Sequence, residues 1–513
     1  MIHPSNLSLQ STRNRPTIFF QLGLLSAYAS LLALSLYRHE CWRDELQAWN
    51  IVTSSSGIGE LFRNKEYEGH PSLWFLVLYP VSRLTHSPVS IQVVNWLIAV
   101  GAAGLLIYRS PFTLIEKTLI LFGYFFVFEY GTISRNYMIG VLILLAIGAL
   151  WKSYRRRWIV VCILLWLLMQ TNAYMACIAL AVSTVLLYRH WSSGTLINSA
   201  TIFGIMIVLS GLIFFVVTTN PPPDSSYASG WNFSFDFRGL RLILSNLYKG
   251  LVTIPELNRT FWGSNVVRSS EAAALLGFFT LLIAIYCLLR SPYALAFLLL
   301  SFLLLSVFMN MKFAGHLRHH GHFSIALLFA LWIAGYEKSY TRGPVILLLL
   351  IQFFAGLFAC YTDIRHPFSY SKYVAAYIRN NYPHDIPLIA AYNDMATPVA
   401  GYLQRKMYFL NDGRYASYVI WSRDYWNRQN YRFEQKELFR RMDRYIAGRN
   451  DKYLLVMNYR SADDEQKEAL EPGTSKDFTI EDRTYRIHSA GRFSGAIVPD
   501  ENYYLYEVTP VAD

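Results

Sequence analysis

Apolar residues occur in long blocks along the first two thirds of the chain, with short polar stretches between them. A helix needs about 20 such residues to cross a bilayer. The pattern therefore predicts an α-helical polytopic membrane protein with about 11 transmembrane helices within residues 1–361. The predicted spans are 17–37, 88–108, 113–129, 137–152, 158–171, 173–188, 196–218, 271–289, 293–310, 322–336 and 344–361.

Two long connections interrupt these blocks, at 38–87 and 219–270. In the first, Leu46, Trp49 and Leu61 recur at roughly helical spacing, which predicts short helices lying on the membrane surface. Its apolar stretch 71–84 is too short to span and contains Pro80, so it is predicted to be a further interfacial helix. The second connection is rich in aromatic residues. It either closes over a lipid-linked substrate or rests on the membrane surface.

The last third of the chain, residues 362–513, has a different pattern, in which strand-like and helix-like runs alternate. This alternation predicts a separate α/β domain of about 150 residues. The strand-like runs are 387–392, 453–457 and 503–507, and the helix-like runs are 372–380 and 434–448.

Composition supports a membrane protein, since 54% of the residues are hydrophobic and only 16% are charged. The net charge of +12 lies entirely in residues 1–361, because the remainder holds equal numbers of acids and bases. The excess falls in connections such as Arg155–Arg157, which the positive-inside rule places in the cytoplasm. The N-terminus is then cytoplasmic and the C-terminal domain outside, in a membrane predicted to be the bacterial plasma (inner) membrane.

The charge pattern and the cysteines also exclude some classes of function. No basic patch is interleaved with aromatic residues, so a nucleic-acid partner is not expected. The five cysteines lie in or beside apolar blocks, and they indicate neither a disulfide framework nor a cysteine-based metal site.

Asp44 and Glu45 are adjacent acids at the point where the chain leaves the first apolar block. Ionised side chains at hydrocarbon depth are costly and usually functional, whereas at the interface they are tolerated. One interpretation is a solvated polar loop. The other is a catalytic base that the surrounding helices hold at a fixed depth.

Two short motifs in this loop resemble those of known enzymes. Arg43-Asp44-Glu45, in the first outside loop of a polytopic protein, resembles the GT-C superfamily of glycosyltransferases, which take a sugar from a polyprenyl-phosphate carrier. The segment 69–73, Gly-His-Pro-Ser-Leu, resembles the His-Pro-Pro segment of protein O-mannosyltransferases. It departs from the Lys-Pro-Pro-Leu of aminoarabinose transferases, since His70 replaces the lysine. The resemblance covers roughly residues 17–360. It implies a GT-C-like fold, Asp44 as an inverting general base, and Glu45 and His70 at the substrate.

A second polar cluster lies between the predicted third and fourth spans. Arg135 offers a forked donor suited to phosphate oxygens, with Tyr137 beside it. The alternative is an arginine that extends to lipid headgroups. Glu129 either holds a divalent ion together with Asp44 or pairs with Arg135.

A third cluster, at 312–322, contains four histidines and two cations within 11 residues. We expect Arg318, His319 and His320 to bind the carrier phosphate in a turn before the tenth span. The alternative is a metal site, since imidazole is a common ligand.

These features together predict a membrane glycosyltransferase that moves a sugar from a polyprenyl-phosphate donor to a hydroxyl of a glycan, lipid or protein acceptor. Membrane lipids surround it, and no cofactor is required, although a divalent ion at Asp44 and Glu129 is left open. One alternative is a ligase or polymerase of lipid-linked glycans. The other is a lipid or solute transporter, which would be expected to place charges within its spans or to contain internal repeats.

Overall fold

The computed structural model of the 513-residue chain describes residues 15–228, 231–234, 236–337, 340–426, 435–446, 452–458, 470–480 and 482–511. A helical part continues to Arg365, and a part that combines helices with a β-sheet begins at Ser371. The predicted fold class, a helical membrane protein with a C-terminal α/β domain, is confirmed. The last long apolar helix ends at Arg365 rather than at 361.

The helices of the first part follow one another with short connections except around α11. They are α1 (Arg15–Arg38), α2 (Arg43–Ser54), α3 (Ile58–Asn64), α4 (Leu73–Leu84), α5 (Val89–Arg109), α6 (Leu114–Leu121), α7 (Tyr137–Leu150), α8 (Trp158–Met169), α9 (Ala173–Trp191), α10 (Ser199–Thr219), α11 (Phe237–Leu251), α12 (Ser270–Leu288), α13 (Pro292–Met311), α14 (Leu317–Tyr336) and α15 (Arg342–Arg365). A π-helical turn, Tyr124–Glu129, follows α6.

Among the described residues, seven helices are long and apolar enough to cross a membrane, namely α1, α5, α9, α10, α12, α13 and α15. Their outward faces carry exposed large apolar side chains, such as Ile213 on α10, Phe279 on α12 and Phe354 on α15. Water would not favour such faces, but lipid would. The chain is therefore a multi-pass membrane protein. The total of eleven spans stays a prediction, because α6, α7 and α8 are shorter and α14 is not among these seven helices.

Helix α14 begins at Leu317, five residues before the predicted start of that span. The prediction of an open turn there was wrong. The ring of His319 accepts a hydrogen bond from the backbone N–H of His316 at 2.8 Å, which satisfies one of the free donors at the helix start. The histidines at 319 and 320 therefore belong to the first turn of a helix.

The C-terminal domain is built on a seven-stranded mixed sheet of order β3-β2-β1-β4-β7-β6-β5. β1 runs parallel to both β2 and β4, and the other pairs are antiparallel. Its strands are β1 (Leu388–Ala390), β2 (Met407–Phe409), β3 (Arg414–Ala416), β4 (Tyr453–Met457), β5 (Ser475–Ile480), β6 (Arg483–Phe493) and β7 (Tyr503–Pro510). Its helices are α16 (Ser371–Asn381), α17 (Asn393–Leu403), α18 (Arg423–Trp426) and α19 (Gln435–Ile446).

Both faces of the sheet are covered, because successive side chains of β4 point to opposite faces and all of them are buried. Leu454 and Val456 pack in one core with α16 and α17, whereas Leu455 packs in a second core with α19. The three predicted strands are confirmed. Of the two predicted helices, 372–380 is confirmed, and residues 434, 447 and 448 of the other lie outside the described residues. The hairpin of β5 and β6 was not predicted, because charged residues are interspersed along both strands.

Helix α2 lies between the two parts of the protein, and here the prediction of a helix resting on the membrane surface was wrong. Gln47 and Asn50, on its polar side, are buried against the C-terminal domain. The Asn50 amide donates to the carbonyls of Thr397 and Ser417 at 3.0 and 2.7 Å. A Cβ at Gly401 would come within 2.8 Å of Asn50, so α17 packs closely on α2. The C-terminal domain and Asp44 are thus on the same side of the helical part.

This arrangement predicts the result of a topology experiment in which single cysteines replace Ser56, Ser153 and Ser475 in a cysteine-free background. We expect an impermeant thiol reagent added to intact cells to label Ser56→Cys and Ser475→Cys but not Ser153→Cys. The reason is that the positive-inside rule predicts a cytoplasmic position for residues 155–157, whereas the C-terminal domain contacts α2. Labelling of Ser153→Cys alone would reverse the topology and place Asp44 in the cytoplasm.

Candidate functional site

The site is built on the first turn of α2. Its start is fixed because the backbone N–H of Trp42 donates to the carboxylate of Glu45 at 3.0 Å. Asp44 and Glu45 both lie in this first turn, where the positive end of the helix dipole favours negative charge. They point in different directions. The Asp44 side chain is 25% exposed, whereas Glu45 is fully buried.

Arg135 and Arg318 converge on Asp44, although 183 residues separate them in the sequence. Nη1 of Arg135 lies 2.6 Å from Oδ2 of Asp44, and Nη2 of Arg318 lies 3.2 Å from the same oxygen. The arginine side chains are only 10% and 15% exposed. The predicted proximity of these three residues is confirmed. Their roles stay predictions.

The two guanidinium groups determine the ionisation of Asp44. Burial alone would raise the pKa of this carboxyl, but the charges of Arg135, Arg318 and Arg43 outweigh that effect and hold the pKa below its usual value. Asp44 is therefore ionised at neutral pH. Two cations around one anion leave the site with a net positive charge, which suits an anionic ligand.

Arg135 is held by the tight turn that precedes α7. The Asn95 amide donates to the carbonyls of Tyr130 and Gly131 at 3.1 and 2.7 Å, which fixes this turn against α5. A Cβ at Gly131 would lie 2.6 Å from two carbonyl oxygens, so the turn can close only with glycine there. The guanidinium of Arg135 then lies 5.5 Å from the ring centre of Tyr137. Tyr137, predicted at the substrate, thus contacts the arginine.

Arg318 is held by aromatic rings. Its guanidinium lies 5.4 Å from the ring centre of Trp42 and 5.7 Å from that of Trp262. The Tyr130 hydroxyl donates to the Arg318 carbonyl at 2.8 Å. Among the described residues, the buried Nε of Arg318 has no hydrogen-bond partner. A buried charged donor without an acceptor is costly, and an anionic ligand would provide one.

The carboxylate of Glu45 is hydrogen-bonded by protein groups in this structure, and its predicted place at the substrate stays a prediction. One carboxylate oxygen accepts from the backbone N–H of Ser134 at 2.6 Å. The other accepts from Trp42 and lies 3.1 Å from Nε2 of His39. Both carboxylate oxygens of Glu45 are therefore hydrogen-bonded within the protein, and a second carboxylate beside Asp44 would repel phosphate.

The three histidines predicted at the substrate have different surroundings. His70 lies near Asp44 and Arg135, and burial together with the charge of Arg135 lowers its pKa to about 3, so its ring is neutral. The ring of His319 stacks on Tyr174 at 5.0 Å. Nε2 of His320 lies 3.1 Å from the carbonyl oxygen of Ala314. His320 therefore stabilises the turn before α14, and its binding of phosphate stays a prediction.

Glu129 does not form the predicted ion pair with Arg135. Its carboxylate accepts hydrogen bonds from the Tyr124 hydroxyl at 2.9 Å and from the Trp262 indole at 3.1 Å. Among the described residues, no three His, Cys, Asp or Glu side chains are grouped as metal ligands. A divalent ion on Asp44 would also face two guanidinium groups, which repel it. The surroundings of Asp44 therefore do not fit such an ion, and metal dependence stays a prediction.

No protein-family model and no curated protein sequence matches this chain. Two solved structures are similar to it. The crystal structure of ArnT from Cupriavidus metallidurans bound to undecaprenyl phosphate has a TM-score of 0.43 and 12% sequence identity, and the similarity covers 96% of this chain and 98% of that chain. The structure of ArnT from Cupriavidus metallidurans in the apo state has a TM-score of 0.44 and 11% identity over the same shares.

A polar cavity of about 460 Å³ lies between the two long loops and the C-terminal domain. The acids on its wall outnumber the single arginine, so the cavity does not favour an anion. It is lined by Tyr67, Asp224, Asn411, Asp412, Arg414, Ile420, Ser422 and Asp424.

Glu68, which follows Tyr67 in the chain, was not predicted as a site residue. It accepts from the Gln47 amide at 2.8 Å, and Gln47 is one helical turn after Asp44 on α2. Burial, with a contribution from the charge of Asp44, raises the pKa of Glu68 to about 7. A buried acid of this pKa, bound to the helix that carries Asp44, is a candidate for proton exchange.

Proposed function

We propose that this protein is a membrane glycosyltransferase that transfers a sugar from a polyprenyl-phosphate donor to an acceptor hydroxyl at the outer face of the membrane. The observation that carries the proposal is the convergence of Arg135 and Arg318 on Asp44, at the start of α2. A buried pair of guanidinium groups suits phosphate oxygens, and an ionised carboxylate beside them suits a proton acceptor.

The two arginines would bind the carrier phosphate and stabilise its charge as the bond to the sugar breaks. The Nε of Arg318 would then gain the acceptor that it lacks among the described residues. Electrostatic stabilisation of a leaving group is most effective where donors are fixed beforehand. Trp42, Trp262 and Tyr137 fix both guanidinium groups through their rings.

Asp44 would act as the general base. The acceptor oxygen attacks the anomeric carbon, the bond from that carbon to the phosphate oxygen breaks, and the hydroxyl proton passes to Asp44. A single displacement of this kind inverts the anomeric centre. With both arginines paired to it, Asp44 is a weak base. Phosphate binding would draw the guanidinium groups away and raise the pKa of Asp44 towards the range that a base needs.

An apolar groove and a polar cavity suit the lipid-linked donor and the acceptor, respectively. An apolar groove between α6, α14 and α15, lined by Ile120, Phe125, Leu328 and Leu348 among others, offers a path for a polyprenyl tail. Tyr130 connects this groove to the site, since its ring packs on Phe125 and its hydroxyl binds the backbone of Arg318. The polar cavity beside Tyr67 fits a hydroxyl-rich acceptor, which carboxylates and amides would bind through hydrogen bonds.

The proposal is tested by incubating the purified protein in nanodiscs with a panel of polyprenyl-phosphate sugars. We expect at least one donor to be consumed, with release of free polyprenyl phosphate that depends on Asp44. If no donor is consumed while a pyrophosphate-linked glycan is, the protein is a ligase or polymerase. If neither is consumed, the glycosyltransferase proposal is wrong.

A further inference from the structure

A buried chain of charged side chains lies directly behind Asp44. Nδ1 of His39 is 3.1 Å from both carboxylate oxygens of Asp363, and Nε2 is 3.1 Å from Oε2 of Glu45. All three side chains are completely buried. Burial alone would lower the pKa of His39, but the charges of Asp363 and Glu45 outweigh burial and hold that pKa well above its usual value. His39 is therefore a cation that donates from both ring nitrogens to these carboxylates.

The chain continues from Glu45 to the arginine of the site. The other oxygen of Glu45 accepts from the backbone N–H of Ser134 at 2.6 Å. Ser134 immediately precedes Arg135, which binds Asp44. Asp363 at the end of α15 is therefore connected through His39 and Glu45 to the backbone that carries Arg135.

The His39 position is itself fixed from several sides. The Gln92 amide donates to the His39 carbonyl at 3.0 Å, and the ring of Phe368 lies 4.5 Å from the imidazole. The buried carboxylate of Glu40, which accepts from the Phe368 N–H at 2.9 Å, is the third acid near this imidazole. Thus α5, α15 and the segment before α16 all contact His39.

We propose that His39 is a positioning residue for glycosyl transfer, which acts through Glu45 and Ser134 to hold Arg135 in place for the carrier phosphate. Burying three ionised groups is costly, and apolar side chains of the same volume would join α1 to α15 at least as well. What apolar side chains could not supply is an acceptor of fixed position for the Ser134 N–H. The proposal rests on the proposed function, since it assumes that Arg135 binds phosphate.

A double-mutant cycle tests it, with the affinity for C55 polyprenyl phosphate measured on the full-length protein in nanodiscs. If His39 acts through Arg135, His39→Gln should weaken binding about tenfold in the wild-type background and cause little further loss in Arg135→Gln, because neighbouring groups that act as a unit are not additive. Equal losses in both backgrounds, or no loss in either, would overturn the proposal. His366→Gln is the matched control, an exposed histidine next to the end of α15, and should leave the affinity unchanged.

A second variant and the affinity of the wild type keep the double-mutant cycle interpretable. If His39→Gln does not fold, Glu45→Asp replaces it, since a shorter carboxylate keeps the charge but withdraws from Ser134, and the same non-additivity is expected. Binding of polyprenyl phosphate to the wild type distinguishes a failure of the proposed function from a failure of the proposed role of His39. If wild-type protein does not bind polyprenyl phosphate, the proposed function is wrong. If it binds, and Arg135→Gln weakens binding while His39→Gln and Glu45→Asp do not, only the role of His39 is wrong.

Discussion

Replacing Asp44 with Asn should abolish sugar transfer while leaving the affinity for polyprenyl phosphate unchanged or higher. Loss of a positioned base lowers turnover by about 10²–10⁴-fold. Binding should not suffer, because the carboxylate competes with phosphate for Arg135 and Arg318, and an amide does not. Turnover and affinity are measured on the same nanodisc preparation.

Two observations accompany this experiment. Without Asp44 the two guanidinium groups lose their anion, so the melting temperature of the variant should fall and should recover when polyprenyl phosphate is added. Asp385→Asn, at an exposed loop position of the C-terminal domain, is the control and should match the wild type. If Asp44→Asn retains a tenth of wild-type turnover or more, Asp44 is not the base.

Replacing either Arg135 or Arg318 with Gln should weaken donor binding about tenfold to a hundredfold, since a charge-assisted hydrogen bond contributes roughly 1.5–3 kcal/mol. Turnover should fall as well, because the same groups stabilise the leaving phosphate. Arg→Lys should restore only part of the loss, as an ammonium group cannot reproduce the forked geometry. Donor affinity and kcat are measured for all four single variants.

An exposed arginine provides the comparison for this series. Arg268 is 80% exposed and pairs with Glu256 in the long loop before α12, so Arg268→Gln should not change either quantity. An arginine that only extends to lipid headgroups would tolerate both Lys and Gln. Unchanged donor affinity in Arg135→Gln and Arg318→Gln would therefore show that neither arginine binds the donor phosphate.

Asp44, Arg135 and Arg318 each stand in a polar stretch between apolar blocks, and the resemblance to GT-C glycosyltransferases singled out Asp44. In a membrane protein such stretches meet at one face, so residues far apart in the chain come together there. The aromatic residues Trp42 and Trp262 were missed. Trp42 adjoins the acidic motif and Trp262 lies in the aromatic-rich loop, so proximity to these features was the available signal.

Other features could not be predicted from local patterns. His39 and Asp363 are 324 residues apart, and only the packing of α1 against α15 brings them together. Glu45 next to Asp44 reads as a second substrate acid, but adjacent helical residues point in different directions, and Glu45 turned towards His39. The polar side of α2 reads as solvent-exposed, because nothing in its pattern indicates that a second domain covers Gln47 and Asn50.

The central claim, that Arg135 and Arg318 form a phosphate site at the end of a lipid groove, is tested most directly by comparing two lipids with the same tail. The measurement is the affinity of the wild type in nanodiscs for C55 polyprenyl phosphate and for C55 polyprenol. We expect the phosphate to bind at least about tenfold more tightly, and the difference to disappear in the double variant Arg135→Gln/Arg318→Gln. Equal affinity of the wild type for the two lipids would contradict the account.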